Sequence, residues 1–273
     1  MNTRITVIGG GIAGLTAAIE CAGAGANVTL HEAHSTLGGR GRATPSPYVA
    51  HEGAHVFYAD GPHYRWLKSQ GFVRGLGFPR PSSLMRAGFR VDGHIRRTPP
   101  VGMLKAQARA RLSAPVDRDF HSWASERFDP ATARAIAGAI GVTTYDADTG
   151  RLSAAFVWDL FQRVYGPRIP GVRWVRGGWQ TVIDRMTDRA RQLGVDIETN
   201  SRITELPPNP TIVATELSSA RALLNDESLV GTSGHCVMLD VALPESRRDY
   251  SIVADLDAGG FHESYSMQDR STA

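Results

Sequence analysis

The apolar positions change period along the chain, and each change marks an element. Ile5 to Ile8 is a short apolar run of β type. Glycines follow, and Ile12 to Cys21 is then apolar and Ala-rich, the pattern of a buried helix, with Gly23 and Gly25 to end it. Val28 to Leu30 predicts a second strand that closes at Glu32. Strand, glycine turn, helix and strand within about thirty residues is the length of a βαβ unit, and the right-handed crossover makes its two strands parallel neighbours.

From Thr44 to Pro100 the pattern is irregular and rich in Gly, Pro, Arg and His. Gly61 to Gly71 predicts a short helix with Tyr64, Trp66 and Leu67 as its apolar positions. Phe89 to Ile95 predicts a hairpin through Asp92-Gly93. Met103 to Gly166 reads as mostly helical, with an aromatic stripe over Leu152 to Val164. After Gly177-Gly178 the period resets. Thr181 to Leu193 is an amphipathic helix with Val182, Ile183, Met186 and Ala190 on one face, ended by Gly194. Strands are predicted at Val195–Glu198, Ile203–Leu206 and Thr211–Ala214, with Pro207, Pro208 and Pro210 between the last two. Cys236 to Leu243 and Tyr250 to Leu256 alternate like strands of a half-buried antiparallel sheet. The expected organisation is discontinuous: residues 1–60 and 172–232 form one domain, and residues 61–171 and 233–273 form another.

Composition narrows the class without deciding it. The 273 residues are 42% hydrophobic and 21% charged, ordinary for a globular protein with a sizeable core. The net charge of +3 comes mostly from scattered Arg, which gives no footprint for nucleic acid and at most a weak attraction to an anionic surface. The two cysteines, Cys21 and Cys236, suggest neither a disulfide framework nor a metal cluster and fit a reducing compartment. No signal-peptide pattern and no bilayer-length apolar run occurs. The expected location is therefore cytoplasmic, at most peripheral to a membrane, with no integral membrane segment.

Candidate chemistry begins at Gly9-Gly10-Gly11-Ile12-Ala13-Gly14, a G-x-G-x-x-G that follows a strand and opens a helix. In such a turn Gly9 permits the tight exit from the strand. Gly11 lets a pyrophosphate approach the backbone, and Gly14 lets helix and strand pack closely. The helix start, at Ile12 and Ala13, then offers N–H groups and a positive dipole end to phosphates. Glu32 lies eighteen residues beyond Gly14, followed by Ala33, where a carboxylate accepts from ribose hydroxyls. The alternative is a glycine-rich turn beside a solvated Glu, but the strand–turn–helix context favours an adenine dinucleotide.

Leu37-Gly38-Gly39-Arg40-Gly41-Arg42 resembles the second signature of the flavin-dependent amine oxidase and phytoene desaturase superfamily. His51-Glu52-Gly53-Ala54-His55-Val56-Phe57 looks like that family's loop beside the isoalloxazine. Arg176-Gly177-Gly178-Trp179 is similar to its return into the FAD domain. Asn200 to Leu206 resembles the strand that meets the adenine, and Ile212-Val213-Ala214-Thr215 resembles a Val-Val-Ala-Thr strand end. The resemblance implies the α/β class: a Rossmann-like FAD-binding domain of the GR2 type, with a discontinuous substrate domain of helices and antiparallel sheet.

It also implies FAD as cofactor. Gly9, Gly11 and Gly14 would hold the pyrophosphate and Glu32 the adenosine ribose. Gly38, Gly39 and Arg40 would lie along the phosphates and ribityl chain. Ile203 and Ala214 would border the adenine half, and Gly53, Ala54 and His55 would face the flavin ring, with His55 the candidate catalytic residue. Arg42 reads as surface charge. His31 and His34 flank Glu32 and do not read as metal ligands, so no metal is expected. Phe156, Trp158, Phe161, Tyr165 and Trp174 either line a tunnel for a hydrophobic substrate or, more in keeping with their helical spacing, pack the core.

The implied reaction is hydride transfer from a small hydrophobic or amine substrate to flavin N5. The family also carries a further C-terminal segment over the ribityl phosphate, whereas this sequence ends at Asp269-Arg270-Ser271-Thr272-Ala273. Three expectations follow: half of a split enzyme completed by a second subunit, a truncated product, or a non-catalytic module that keeps the fold. The first is preferred, and a half-made site with open sheet edges favours a completing subunit or a homo-oligomer.

Overall fold

The computed structural model describes residues 3–44, 50–53, 56–74, 76–77, 85–146, 148–166, 172–175, 178–231, 234, 237–241 and 250–263. A four-stranded, all-parallel sheet lies at its centre, in the order β8-β2-β1-β9, built from β1 (Arg4–Ile8), β2 (Asn27–His31), β8 (Asp196–Glu198) and β9 (Thr211–Val213). The predicted βαβ unit is present: the first helix, Ile12–Gly23, connects β1 to β2, and Arg4 to Ile8 pair in register with Asn27 to His31. The helix Gly178–Gln192 packs against the first helix. Its predicted face, Val182, Ile183, Met186 and Ala190, is buried together with Leu15, Ala18, Ile19 and Leu30. Burying a side chain of that size contributes roughly 2 kcal/mol, which is why a 3.6-residue period in the sequence becomes a fixed packing partner here. Gly194, with φ +81°, turns the chain out of this helix and into β8.

A second core lies among the helices of the central segment. Phe120, Trp123, Ile136, Ile140, Val157, Trp158 and Phe161 pack with Ala254 and Leu256. Two of its helices start as the sequence dictates. Asp119 and Asp129 cap the helices Phe120–Ser125 and Pro130–Ala139 by accepting from the backbone N–H of Ser122 (2.8 Å) and Thr132 (3.0 Å), and Pro130 supplies a first-turn proline. Against this core lies the sheet β11-β10-β5-β6, of β5 (Ala87–Val91), β6 (His94–Arg96), β10 (Ile252–Asp255) and β11 (Phe261–Glu263). The predicted Asp92-Gly93 turn joins β5 to β6 with both residues at positive φ (51° and 75°), the geometry of a type I′ hairpin. A third, antiparallel sheet of β3 (Val56–Tyr58), β7 (Val172–Val175) and β4 (Leu76–Gly77) connects the two regions.

Three strand expectations need correction. Ile203–Leu206 forms no strand. Asn200, at φ 54°, breaks the extended line. The Asn200 and Ser201 N–H groups fold back onto the carbonyls of His34 (2.9 Å) and Glu32 (2.8 Å), and Pro207 and Pro208 then remove donors. In the Cys236–Leu243 run, residues 237–241 are not a strand and are exposed, Val237 at 97% and Leu239 at 84%. The rest of that run, including Cys236, lies outside the described residues. The Tyr250–Leu256 strand exists as Ile252–Asp255, but it pairs parallel with β5 and antiparallel only with β11, so its sheet is mixed. Among the candidate tunnel aromatics, Trp158 and Phe161 are core residues and Phe156 is half-exposed, while the side chain of Trp174 lies outside the described residues.

Candidate functional site

The site forms at the carboxyl edge of the parallel sheet. There β1 has β2 on one side and β9, reached from β8 at the far edge, on the other, so the strand order reverses at β1, where sheets of this kind open a crevice. Several bonds extend the ladders past the strand ends. Gly9 N–H donates to the His31 carbonyl (2.8 Å), Glu32 N–H to Glu198 (2.8 Å) and Ala214 N–H to Ile8 (2.8 Å). The glycine turn is thereby held between Glu32 and Ala214.

Three glycines of the motif do three different jobs. Gly9 adopts φ +107°, and a Cβ there would stand 2.7 Å from the Ala214 carbonyl oxygen. A Cβ on Gly14 would overlap the Gly9 carbonyl oxygen, so helix and turn touch backbone to backbone. Gly11 differs: its φ is an ordinary −74°, and a Cβ there would meet nothing within 4 Å. Neither packing nor backbone geometry requires glycine at that position, whereas a group seated over the turn would. Gly11 is also the N-cap of the first helix. No side chain caps it, and no acidic residue lies in the first turn. The N–H groups of Ile12 and Ala13 have no partner within the helix, which leaves a positive dipole end facing the crevice.

Glu32 is buried beside the turn. Its Oε2 accepts from the Gly10 N–H at 2.7 Å, and its Oε1 meets the N–H and the Nδ1 of His34, each at 2.9 Å. Burial alone would raise its pKa, but the bonds from His34 and Gly10 outweigh it and hold the carboxyl below its usual range. The group therefore stays an anionic acceptor at neutral pH. Ala33, next in the chain, is half-buried.

The second glycine cluster lies against the first. Gly38 N–H donates to the Gly10 carbonyl (2.8 Å), and Gly38 forms a parallel bridge with Gly11. A Cβ on Gly39 would reach to 3.5 Å from the Gly11 Cα, and one on Gly41 would touch Ile183 and Ile12. Arg40 is exposed and makes no ion pair among the described residues, whereas Arg42 pairs with Glu52 at 2.7 Å. Gly53 backs onto Arg40, where a Cβ would overlap the Arg40 carbonyl oxygen.

The structure thus brings Gly9, Gly11, Ile12, Ala13, Gly14, Glu32, Ala33, Gly38, Gly39, Arg40, Gly53 and Ala214 to one edge. Ile203 is half-buried on the irregular stretch that Ser201 anchors to Glu32, and it makes no hydrogen bond among the described residues. Ala54 and His55 lie outside the described residues, as do Arg176 and Gly177.

Sequence reasoning missed two contributors. His34 clamps Glu32, and the signal was the Glu-x-His spacing that was weighed only for metal. His51, buried, stands where a Cβ on Gly178 would come within 2.8 Å of its Nε2, which fixes the loop before β3 against the start of the Gly178–Gln192 helix. His31 is engaged by Ser201 (2.9 Å) and Glu198 (3.2 Å). Among the described residues no three His, Cys, Asp or Glu side chains gather into a metal set.

The model of flavin-containing amine oxidoreductases matches residues 12–239, well over half of the chain. The chain belongs to the flavin-containing amine oxidoreductase family. Its fold is shared by solved structures of low identity. An oxidoreductase from Methanosarcina mazei superposes with a TM-score of 0.65 at 16% identity, covering 82% of this chain and 62% of that one. A protein from Pyrococcus furiosus gives 0.62 at 19%, covering 81% and 61%. Cyclohexylamine oxidase from Brevibacterium oxydans gives 0.59 at 17%, covering 82% and 60%. The chain thus spans about three-fifths of the length of these structures. No curated protein matches the sequence. Family membership implies a flavin, and the open face of Gly11 lies beside an uncapped helix start and an anionic Glu32.

Proposed function

We propose that this chain is the FAD-binding core of an oxidoreductase acting on an amine or another small hydrophobic substrate. The reading rests on one observation above the others: the Gly11 backbone is uncovered in a turn whose other two motif glycines are packed shut. When bound, a flavin supplies the hydride-accepting chemistry, taking a C–H hydride next to nitrogen or in an allylic position. The chain's own residues bind and orient. The Ile12 and Ala13 N–H groups receive the pyrophosphate, Glu32 accepts from the adenosine ribose, and Arg40 supplies the counter-charge. Ile203 and Ala214 would border the adenine, and Gly53 would lie toward the ring. Residues 1–60 and 172–232 would form this cofactor unit, and residues 61–171 and 233–273 the substrate unit.

The amine assignment draws on the family match and on a neighbour named for cyclohexylamine. A second polypeptide or a second copy is proposed as a contributor to the flavin pocket. The reading to be separated from an enzyme is a non-catalytic module that keeps the fold. Anaerobic titration of the flavin-loaded protein with primary amines, cyclohexylamine among them, separates the two. Bleaching of the oxidised flavin absorbance is expected. Flavin that stays oxidised with every amine and hydrophobic donor tried, with and without any copurifying partner, would remove the enzyme reading and leave the module.

A further inference from the structure

We infer that the strip formed by Val101 to Val116 docks on an anionic lipid surface. The sequence from Gly93 to Val116 contains Arg96, Arg97, Lys105, Arg109 and Arg111 and no carboxylate, although the whole chain is nearly balanced, with 30 Lys and Arg against 27 Asp and Glu. The helix Val101–Gln107 buries Met103 and Ala106 and turns Val101, Leu104 and Lys105 outward, with Val101 67% and Leu104 46% exposed. That pairing of aliphatics with cations suits a lipid interface, which takes the aliphatics into its acyl boundary and the cations at its headgroups.

The strip is continuous. Gln162 Nε2 donates to Ala106 (3.1 Å), Trp158 Nε1 to Leu112 (2.8 Å) and Ala155 N–H to Pro115 (2.9 Å). The chain from 106 to 115 therefore lies antiparallel along the helix Ala154–Tyr165. At its far end, next to the Ala155–Pro115 hydrogen bond, Val116 is 78% exposed and Phe156 51% exposed. Lys105 and Arg111 are exposed and make no ion pair among the described residues. Arg109 stacks over Phe128 at 5.4 Å, which holds its charge on the same strip. The nearest carboxylates in sequence are Asp92, Asp117 and Asp119, and Asp92 and Asp129 line a cavity together with Pro100 and Gly102, while Glu126 is already spanned by Arg118 and Arg127. Among the described residues no helix is long and apolar enough to cross a membrane, so the contact is peripheral. The exposed aliphatics between the cations favour lipid over nucleic acid, which would call for aromatic platforms there.

The test is co-sedimentation of the full chain with phosphatidylcholine vesicles, with and without phosphatidylglycerol, across a salt series. Binding is expected only with phosphatidylglycerol and is expected to weaken with salt. Lys105→Gln with Arg111→Gln breaks no ion pair among the described residues and should lower vesicle partitioning about twenty-fivefold, roughly fivefold per charge. Val101→Ser with Leu104→Ser should lower it further at constant salt sensitivity. Circular dichroism should show all variants folded. Absence of binding to anionic vesicles, or equal binding by either double variant, would overturn the inference. So would single-stranded nucleic acid binding that the Gln variants abolish while vesicles stay unbound.

Discussion

Gly11→Val is expected to leave the chain folded and to cost it FAD. The position has an ordinary φ of −74°, and an added Cβ would meet no atom within 4 Å, so the folded protein accommodates the side chain. The space it fills is the approach to the first helix's uncapped N-terminus. A branched side chain there stands between the phosphates and the Ile12 and Ala13 N–H groups, and affinity should fall by at least ~100-fold, about 3 kcal/mol. Thermal unfolding and flavin content, measured on the same preparation, check both halves. A folded variant that retains a full complement of FAD would show that the dinucleotide does not lie over this turn.

Gly14→Ala is the counterpart, with the opposite signature. Here the new methyl would overlap the Gly9 carbonyl oxygen, a backbone atom fixed by the Gly9–His31 hydrogen bond and by Ala214 on its other side. Neither helix nor turn can yield without opening the β1–first helix contact, so overpacking should destabilise the protein by about 3 kcal/mol. The denaturant midpoint of the flavin-free chain reads this directly. A wild-type midpoint for Gly14→Ala would mean that the close helix–strand approach is not as described. Gly11 and Gly14, three residues apart, thus separate binding from folding.

The parts of the fold that were legible in the sequence are those governed by local pattern. Val182, Ile183, Met186 and Ala190 recur at helical spacing, and they are the buried face of the Gly178–Gln192 helix. Asp92-Gly93 is a hairpin turn because two consecutive positive φ values select such residues. The glycine motif was legible because its spacing is set by the turn it makes. What failed was long-range pairing. Tyr250–Leu256 reads as one face of an antiparallel sheet, but its parallel partner is β5, some 160 residues earlier, and no local pattern names a partner at that distance. Ile203–Leu206 has strand-like residues, yet Asn200 and Ser201 spend their N–H groups on His34 and Glu32, and the chain leaves the sheet there. In the site, Glu32 and the glycines were readable, whereas the His34 clamp and the His51–Gly178 contact depend on how loops meet and had no signature of their own.

One comparison tests the whole account most directly: calorimetric titration of the flavin-stripped protein with FAD, then with FMN, then with FAD in the presence of ADP. If the adenosine half grips Glu32 and the phosphates rest on the first helix, FAD binds at a single site, ADP competes with it, and FMN binds at least ~100-fold more weakly. FMN binding as tightly as FAD, or no uptake of FAD at all, would contradict it.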